Sequence, residues 1–288
     1  MRRAQRGVAL LVVLWACTLL AILLGGYAVL ARTEGMQARY QFQQTQAHYA
    51  AEAGVMRAIY ALQAPRQEDH WLTDGRSYAF DFDGTPVSVS ITSESGKVDL
   101  NAATPVVLTG LFRAAGVDPT HAATLAQAVV DWRSFGVTPD QTAQKKAAYQ
   151  AAGRDYGPRN GPFATVEELQ MVLGMTPDLY TQIAPAITIW SGRSSPDPAT
   201  APLLALLATT PGIDPQQASQ LIANRYASST TGIAGLVGGP SVTDSIRSEA
   251  VLADGTRAVM HATVRLQGIR PGSQQPFAVL RWQEGDGE

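Results

Sequence analysis

An uncharged, mostly apolar stretch near the N-terminus constrains the fold more than any other feature. It runs from Val8 to Ala31 and follows a short tail that carries Arg2, Arg3 and Arg6. A helix of this length spans about 36 Å, which exceeds the roughly 30 Å hydrocarbon core of a bilayer. Because three arginines precede the stretch and a single one, Arg32, directly follows it, the positive-inside rule predicts a cytoplasmic tail and a remainder on the other side of the membrane.

Two other structures could contain such a stretch. A secretory signal peptide has an apolar region of about 7–15 residues and an A-x-A-like cleavage site, whereas this run is longer and has no such site. A buried core helix does not need so long an uncharged run. We therefore expect one membrane-spanning helix.

The helix is predicted to continue beyond the membrane. The segment from Arg32 to Leu62 has no proline and is rich in good helix formers, so we expect one helix of about 55 residues that ends before Pro65. Apolar residues at helical spacing predict the face that packs on a soluble domain. They are Tyr49, Ala53, Met56, Ile59 and Tyr60.

The N-terminus resembles that of type IV pilin-like proteins. A short basic leader ends in glycine, and the junction reads RGVALL before the long helix. The resemblance implies that a prepilin peptidase cuts between Gly7 and Val8 and that the new amino terminus at Val8 is methylated. The leader would then leave while the membrane anchor stays.

One position departs from the pilin pattern. Most pilins carry glutamate at the fifth mature residue, and here that residue is Val12. In a fibre such a buried carboxylate is stabilised by pairing with a neighbouring subunit's terminal ammonium. A subunit without it suits the end of a fibre, and this lack is typical of the minor pseudopilin K family of type II secretion systems.

Two blocks of alternating apolar and polar residues predict β-hairpins. The first turns at Asp83-Gly84 and the second at Asp254-Gly255, and PFAVLRWQ adds a further strand. The pattern between the blocks, from Asn101 to Arg225, is helical. We therefore expect one antiparallel sheet, packed on the long helix and interrupted by a helical insert.

The helical part contains three weak repeats of helix, short turn and helix. Their turns share the form Gly-apolar-(Asp/Thr)-Pro, and they lie at 116–119, 174–177 and 212–215. Glycine ends one helix, Asp or Thr caps the next, and proline opens it. These units resemble helix-hairpin-helix or SAM-like repeats.

That similarity raises an alternative function, a pilin-like DNA-binding component of a DNA-uptake system. Phosphate contact needs basic residues and accessible backbone amides. Here the turns carry Asp or Thr, and the third repeat has one basic residue, Arg225. The whole chain has a net charge of −2, and three of its arginines precede the apolar run. We therefore expect no nucleic-acid partner.

The helical part also resembles the pseudopilin K family. The stretches SGKVDLNAATP, AVVDWRS and RNGPFATVEELQMVLGMTPDLYTQIAPAITIW look like that family's landmarks in the same order. The resemblance implies a fibre-tip subunit that initiates assembly and limits fibre length during protein export. It also implies the minor pseudopilins I, J and H, the major pseudopilin and the prepilin peptidase as partners.

In that family, the segment after the Asp-Trp pair is associated with calcium. Here its acids are sparse, namely Asp131, Asp140 and Asp155, and two lysines lie among them. Calcium takes 6–8 oxygen ligands. The three aspartates are calcium candidates, but a solvated loop is the simpler interpretation.

Catalysis has little support. The four histidines His48, His70, His121 and His261 form no metal-binding motif, no G-x-S-x-G elbow occurs, and the single Cys17 excludes an internal disulfide. The glycines at 232, 235, 238 and 239 lack phosphate-loop spacing and predict a connector. Trp71, Trp132, Trp190 and Trp282 are expected in the core or an interface. We expect no enzyme and no cofactor, with calcium as the one possible ion.

The sequence thus predicts an α+β protein with a type IV pilin-like fold and a large helical insert. Its domains are a cleaved leader (1–7), a transmembrane helix (8–31), a periplasmic helix with the first hairpin (32–98), the helical insert (99–228), and a linker with C-terminal strands (229–288). The expected location is the inner membrane, with one pass and a periplasmic C-terminal domain.

Overall fold

The computed structural model describes residues 6–64, 69–136, 138–210, 212–229, 243–267 and 276–285. Its helices are α1 Arg6–Leu62, α2 Pro105–Ala114, α3 Pro119–Arg133, α4 Pro139–Ala151, α5 Pro177–Ile183, α6 Leu203–Thr209 and α7 Pro215–Ser229. Its strands are β1 Asp74–Phe82, β2 Thr85–Ser93, β3 Val98–Asp99, β4 Ile187–Thr188, β5 Thr243–Val251, β6 Arg257–Leu266 and β7 Phe277–Glu284. Short 3-10 helices cover Glu94–Gly96, Val166–Met171 and Ala184–Ala186. Arg2, Arg3, Pro65 and the glycines at 232–239 lie outside the described residues.

Five strands form one antiparallel sheet in the order β1-β2-β5-β6-β7. At the first turn both Asp83 and Gly84 have positive φ, at 51° and 77°, which matches the right-handed twist of a tight hairpin. β2 and β5 pair directly, and Ser93 lies opposite Asp244. Both predicted hairpins, the added last strand and their union in one sheet are therefore confirmed.

α1 packs on this sheet through its smallest side chains. The face is lined by Ala47, Ala50, Ala51, Gly54, Val55, Ala58, Ile59 and Leu62, all buried. A Cβ on Gly54 would lie 2.8 Å from Val87 Cγ1, closer than real Cβ atoms approach. The absence of that Cβ allows the helix and the sheet to come into close contact.

The prediction of which apolar face of α1 packs on the domain was largely wrong. Ile59 is buried, but Tyr49, Met56 and Tyr60 are 60%, 45% and 71% exposed. α1 has two apolar faces, and helical periodicity does not tell which of them meets the core. The Ala and Gly face contacts the sheet because bulky aromatic side chains would hold the helix away from it.

Residues 99–228, here called the helical block, contain a second hydrophobic core. Its largest fully buried side chains include Leu108, Leu111, Phe112, Leu125, Leu169 and Ile183. A short parallel pair, β3 with β4, ties the start of the block to its later part. The short strands and the helices thus form a core distinct from the one under α1.

Two polar contacts join the helical block and its entry to the five-stranded sheet. The buried Glu94 carboxylate accepts hydrogen bonds from Lys97 Nζ and Ser245 Oγ, both at 2.6 Å. On β7, Arg281 Nη2 lies 3.1 Å from Glu167 Oε1. The block is therefore held against the sheet at both its entry and its middle.

The three predicted turns have the expected chemistry. Gly116, Gly174 and Gly212 have φ of +88°, +82° and +83°, and proline opens the helix after each. The expected α-helix before Gly174 is wrong, because Val166–Met171 forms a 3-10 helix. That segment is confined between a tied residue, Phe163, and the glycine turn, and short helical segments favour the tighter geometry.

Candidate functional site

The front of α1 has the length and apolar composition of a membrane-spanning segment. α1 is the one helix in the described ranges that is long and apolar enough to cross a membrane, and the apolar window is not buried inside the protein. Gly7 and Val8 lie at its start, and Val12 is 60% exposed further along. An exposed valine in an apolar helix suits contact with lipid or with another apolar helix.

The C-terminal half of α1 exposes a second set of apolar side chains. Phe42, Tyr49, Met56 and Tyr60 are 71%, 60%, 45% and 71% exposed and are spaced seven, seven and four residues apart. This spacing places them on one side of the helix, opposite the Ala and Gly face that meets the sheet. We call these four residues the apolar stripe.

A groove lies beside the apolar stripe, where the β1–β2 turn approaches α1. Its volume is about 280 Å³. It is lined by Phe42, Thr45, Gln46, Tyr49, Ala50, Phe82, Asp83 and Thr85. The exposed surface of the walls is mostly apolar, with one carboxylate and three uncharged polar side chains. This lining fits packed side chains of another protein better than a reacting substrate.

The entrance to the helical block is organised by a buried aspartate. Asp99 is 1% exposed, and its carboxylate accepts hydrogen bonds from the N–H groups of Asn101 and Ala102 at 2.8 and 3.1 Å. It also accepts from Gly192 N at 2.7 Å and Ser191 Oγ at 3.2 Å. One side chain therefore joins the start of the block to the segment after β4.

Two neighbours extend this junction. The Asn101 amide pairs in both directions with the backbone of Phe163, at 2.7 and 3.1 Å. Arg133 donates to the carbonyl oxygens of Leu100 and Ala103 at 2.6 and 2.5 Å. Burial lowers the pKa of the Arg133 guanidinium, and the nearby buried carboxylate partly offsets that effect. The VDLN sequence thus ties together three distant segments.

The calcium candidates are not brought together. Asp131 Oδ1 accepts a hydrogen bond from Gln127 Nε2 at 3.0 Å, while Asp140 and Asp155 are exposed in the first turn of α4 and beyond its end. In the described part of the chain, no group of three or more His, Cys, Asp or Glu residues is placed to hold a metal ion. This donor set does not fit a calcium ion, which needs several convergent oxygen ligands.

The turns of the three repeats have little capacity for phosphate. Asp118 Oδ1 accepts from Thr120 N and His121 N at 3.1 and 3.0 Å. Thr176 Oγ1 and Asp214 Oδ1 cap the two later helices in the same way. The backbone amides that a phosphate would need are already bonded, and two of the capping groups are acids. The DNA-binding alternative therefore gains no support from these turns.

The histidines lie on separate elements. His48 Nδ1 on α1 is 2.9 Å from Glu284 Oε1 on β7, and His121 and His261 lie on α3 and β6. Among the tryptophans, Trp132 is 3% exposed and stacks near Phe163, whereas Trp282 is 39% exposed. Trp71 stacks on Tyr78, with ring centroids 4.4 Å apart. These contacts are structural in character.

Two features could not be recognised from the residue pattern alone: the exposure of the apolar stripe and the hydrogen bonds of Asp99. A partial signal for the first was present: the Ala and Gly residues between positions 47 and 58 repeat at helical spacing and predict a close-packed face. The VDLN stretch is one of the family landmarks, but its pairing with residues 163 and 192 is long-range and has no local signal.

Comparison with known proteins gives a consistent family. Residues 89–192 match the family model for type II secretion system protein K. The type II secretion system protein K of Klebsiella pneumoniae is 27% identical over 282 residues, which cover 88% of this chain and 86% of that protein.

The fold agrees with a solved relative. A chain of the GspK-GspI-GspJ complex from the enterotoxigenic Escherichia coli type 2 secretion system superposes with a TM-score of 0.57 at 19% identity. The similarity covers 89% of this chain and 100% of that chain, and it supports the α+β fold with a long N-terminal helix and an antiparallel sheet. Taken with the two sequence matches, it confirms the predicted resemblance of this chain to the type II secretion system protein K family.

Proposed function

We propose that this protein is the minor pseudopilin at the tip of a type II secretion pseudopilus, where it initiates assembly and limits fibre length. The observation that carries the proposal is the apolar stripe. Four large apolar side chains are exposed on the C-terminal half of α1, immediately beyond its apolar front part. Exposed apolar surface of this kind is typical of protein–protein contact sites.

We propose the partners of this surface from the structural relative. The structural relative is a complex of GspK with GspI and GspJ, so we infer that helices of the I and J pseudopilins pack on the apolar stripe of α1. The adjacent groove would receive side chains from one of these helices. The H pseudopilin and the major pseudopilin would lie further from the tip.

The tip position has two supports in this chain. Val12 offers no carboxylate to the terminal ammonium of a following subunit, so the next addition lacks a stabilising charge pair. The helical block adds a second core beside the sheet, and its bulk would obstruct stacking of a subunit above it.

A labelling experiment tests the tip position. In cells that overproduce pseudopili, immunogold directed at the helical block should mark one end of each fibre, because no copy can be followed by another subunit. Antibody to the major pseudopilin should mark the shaft in the same preparation and serves as the control. Label along the whole shaft would contradict the proposal.

Processing at the N-terminus is part of the same proposal. The prepilin peptidase would cut between Gly7 and Val8 and methylate the α-amino group of Val8. The mature chain would remain anchored in the inner membrane by residues 8–31, with its other residues in the periplasm. The excess of arginines before the membrane-spanning residues, where Arg2, Arg3 and Arg6 stand against Arg32 directly after them, supports this orientation.

Mass spectrometry tests the processing. The chain extracted from membranes should yield an N-terminal peptide that starts at Val8 and carries one methyl group. A Gly7→Leu variant, in which the residue before the cleavage point is bulky, should keep the leader and serves as the control. A mature wild-type chain that starts at Met1 or elsewhere would exclude the pilin class.

We also propose a division of the chain into five parts. It places the leader at 1–7, the transmembrane helix at 8–31, the periplasmic helix and hairpin at 32–98, the helical domain at 99–228 and the final strands at 229–288. The pilin-like character of the sheet part and the helix-hairpin-helix or SAM-like character of the repeats are also proposals. The separate hydrophobic cores and the glycine turns with capped helices support them.

A further inference from the structure

The C-terminal end of α3 has an unusual partner. The last carbonyl groups of a helix have no hydrogen-bond donor within the helix and need donors from elsewhere. The Trp132 carbonyl accepts from Gly161 N at 3.3 Å. The carbonyl oxygens of Asp131 and Ser134 instead accept from a single ammonium, Lys145 Nζ, at 2.8 and 3.0 Å.

The ammonium is well placed electrostatically. A helix C-terminus carries partial negative charge, which a cation stabilises. Lys145 belongs to α4, so its half-buried side chain crosses the connection between two consecutive helices and fixes the end of one against the middle of the other. One lysine therefore supplies both hydrogen bonds and the compensating charge.

The same arrangement leaves little role for a metal ion. Carbonyl oxygens that converge on one positive charge are what a calcium site also offers, but here the charge is already the chain's own. The Asp131 carboxylate points to Gln127, and the described residues gather no group of three acids or histidines. A divalent ion would also be repelled by the ammonium at close range.

We propose that the Lys145 ammonium is a built-in cation that closes the α3–α4 junction, so that the helical block of this chain folds without a divalent cation. This inference concerns the stability of the block and does not depend on the fibre-tip function. It assigns the stabilising cation of this segment to a lysine, where the sequence offered Asp131, Asp140 and Asp155 as weak calcium candidates.

Thermal melting of the full-length chain in detergent tests the role of the lysine. Lys145→Met keeps most of the aliphatic side chain but removes the charge and both hydrogen bonds. Because hydrogen bonds to charged groups contribute more than neutral ones, we expect Tm to fall by about 5 °C. Lys146→Met, the same change at the exposed neighbouring residue, should shift Tm by about 1 °C or less. Equal shifts in the two variants would overturn the proposal.

The wild-type chain provides a test that does not require the variant to fold. Its Tm should be the same in about 5 mM CaCl₂ and in excess EDTA, because this concentration would saturate even weak calcium sites of extracellular modules. Exchange of the backbone amides of residues 134–142 should likewise be unchanged by EDTA. A calcium-dependent rise in Tm, or calcium-dependent protection of these amides, would contradict metal-free folding of the block.

Discussion

The double substitution Tyr49→Ser with Tyr60→Ser should weaken binding of the full-length chain to the I and J pseudopilins roughly tenfold to a hundredfold. Both tyrosines are exposed on the apolar stripe, at 60% and 71%, and exposed tyrosines in a helical interface commonly carry a large share of the binding energy. Because neither side chain is in the core, Tm should change little. Surface-immobilised chain in detergent, titrated with the purified partner pair, gives the dissociation constant.

The control removes an equally exposed aromatic ring from another place. Phe135 is 74% exposed and follows α3 in the helical block. Phe135→Ser should leave the dissociation constant unchanged while removing comparable apolar surface. If both variants bind as the wild-type chain does, the apolar stripe is not the contact surface and the proposed packing on α1 is wrong.

Replacing Asp99 by alanine should lower the free energy of unfolding of the helical block by about 3 kcal/mol. The substitution removes an acceptor for four hydrogen bonds at a position that is 1% exposed. The N–H groups of Asn101 and Gly192 would remain without this acceptor, and the Arg133 guanidinium would lose a nearby negative charge. Thermal melting should show a Tm about 10 °C lower.

A second aspartate offers a matched comparison. Asp118 also accepts two backbone hydrogen bonds, but it is an exposed helix cap, so Asp118→Ala should cost only about 1 kcal/mol. Hydrogen exchange separates local from global effects. In Asp99→Ala the amides of residues 189–194 should lose protection first, while those of α1 against the sheet keep theirs. Similar Tm values for the two alanine variants would show that the buried carboxylate is not the junction we describe.

Much of the fold could be predicted because its signals are local. The long helix follows from an apolar run and an absence of proline between Arg32 and Leu62, and the first hairpin follows from Asp83-Gly84 between alternating residues. The repeated glycine turns could be predicted for the same reason, since capping and positive φ depend on neighbouring residues.

The features that could not be predicted are long-range. α1 has two apolar faces, and whether Ala50 or Tyr49 meets the sheet depends on how closely the backbones approach, which only the assembled structure shows. Two of the partners of Asp99, Ser191 and Gly192, lie about ninety residues away in sequence. The bonds of Lys145 depend on the direction in which α4 folds back on α3.

The pairing of β2 with β5 has a consequence for how such a protein can change. Ser93 and Asp244 lie side by side at one end of the ladder, so the polypeptide that links them departs from and rejoins the sheet at adjacent points. Lengthening or trimming that polypeptide leaves every cross-strand partner in place, because alternation of inward and outward side chains is set within the strands. The helical block can therefore diverge between relatives while the five-stranded sheet keeps its architecture.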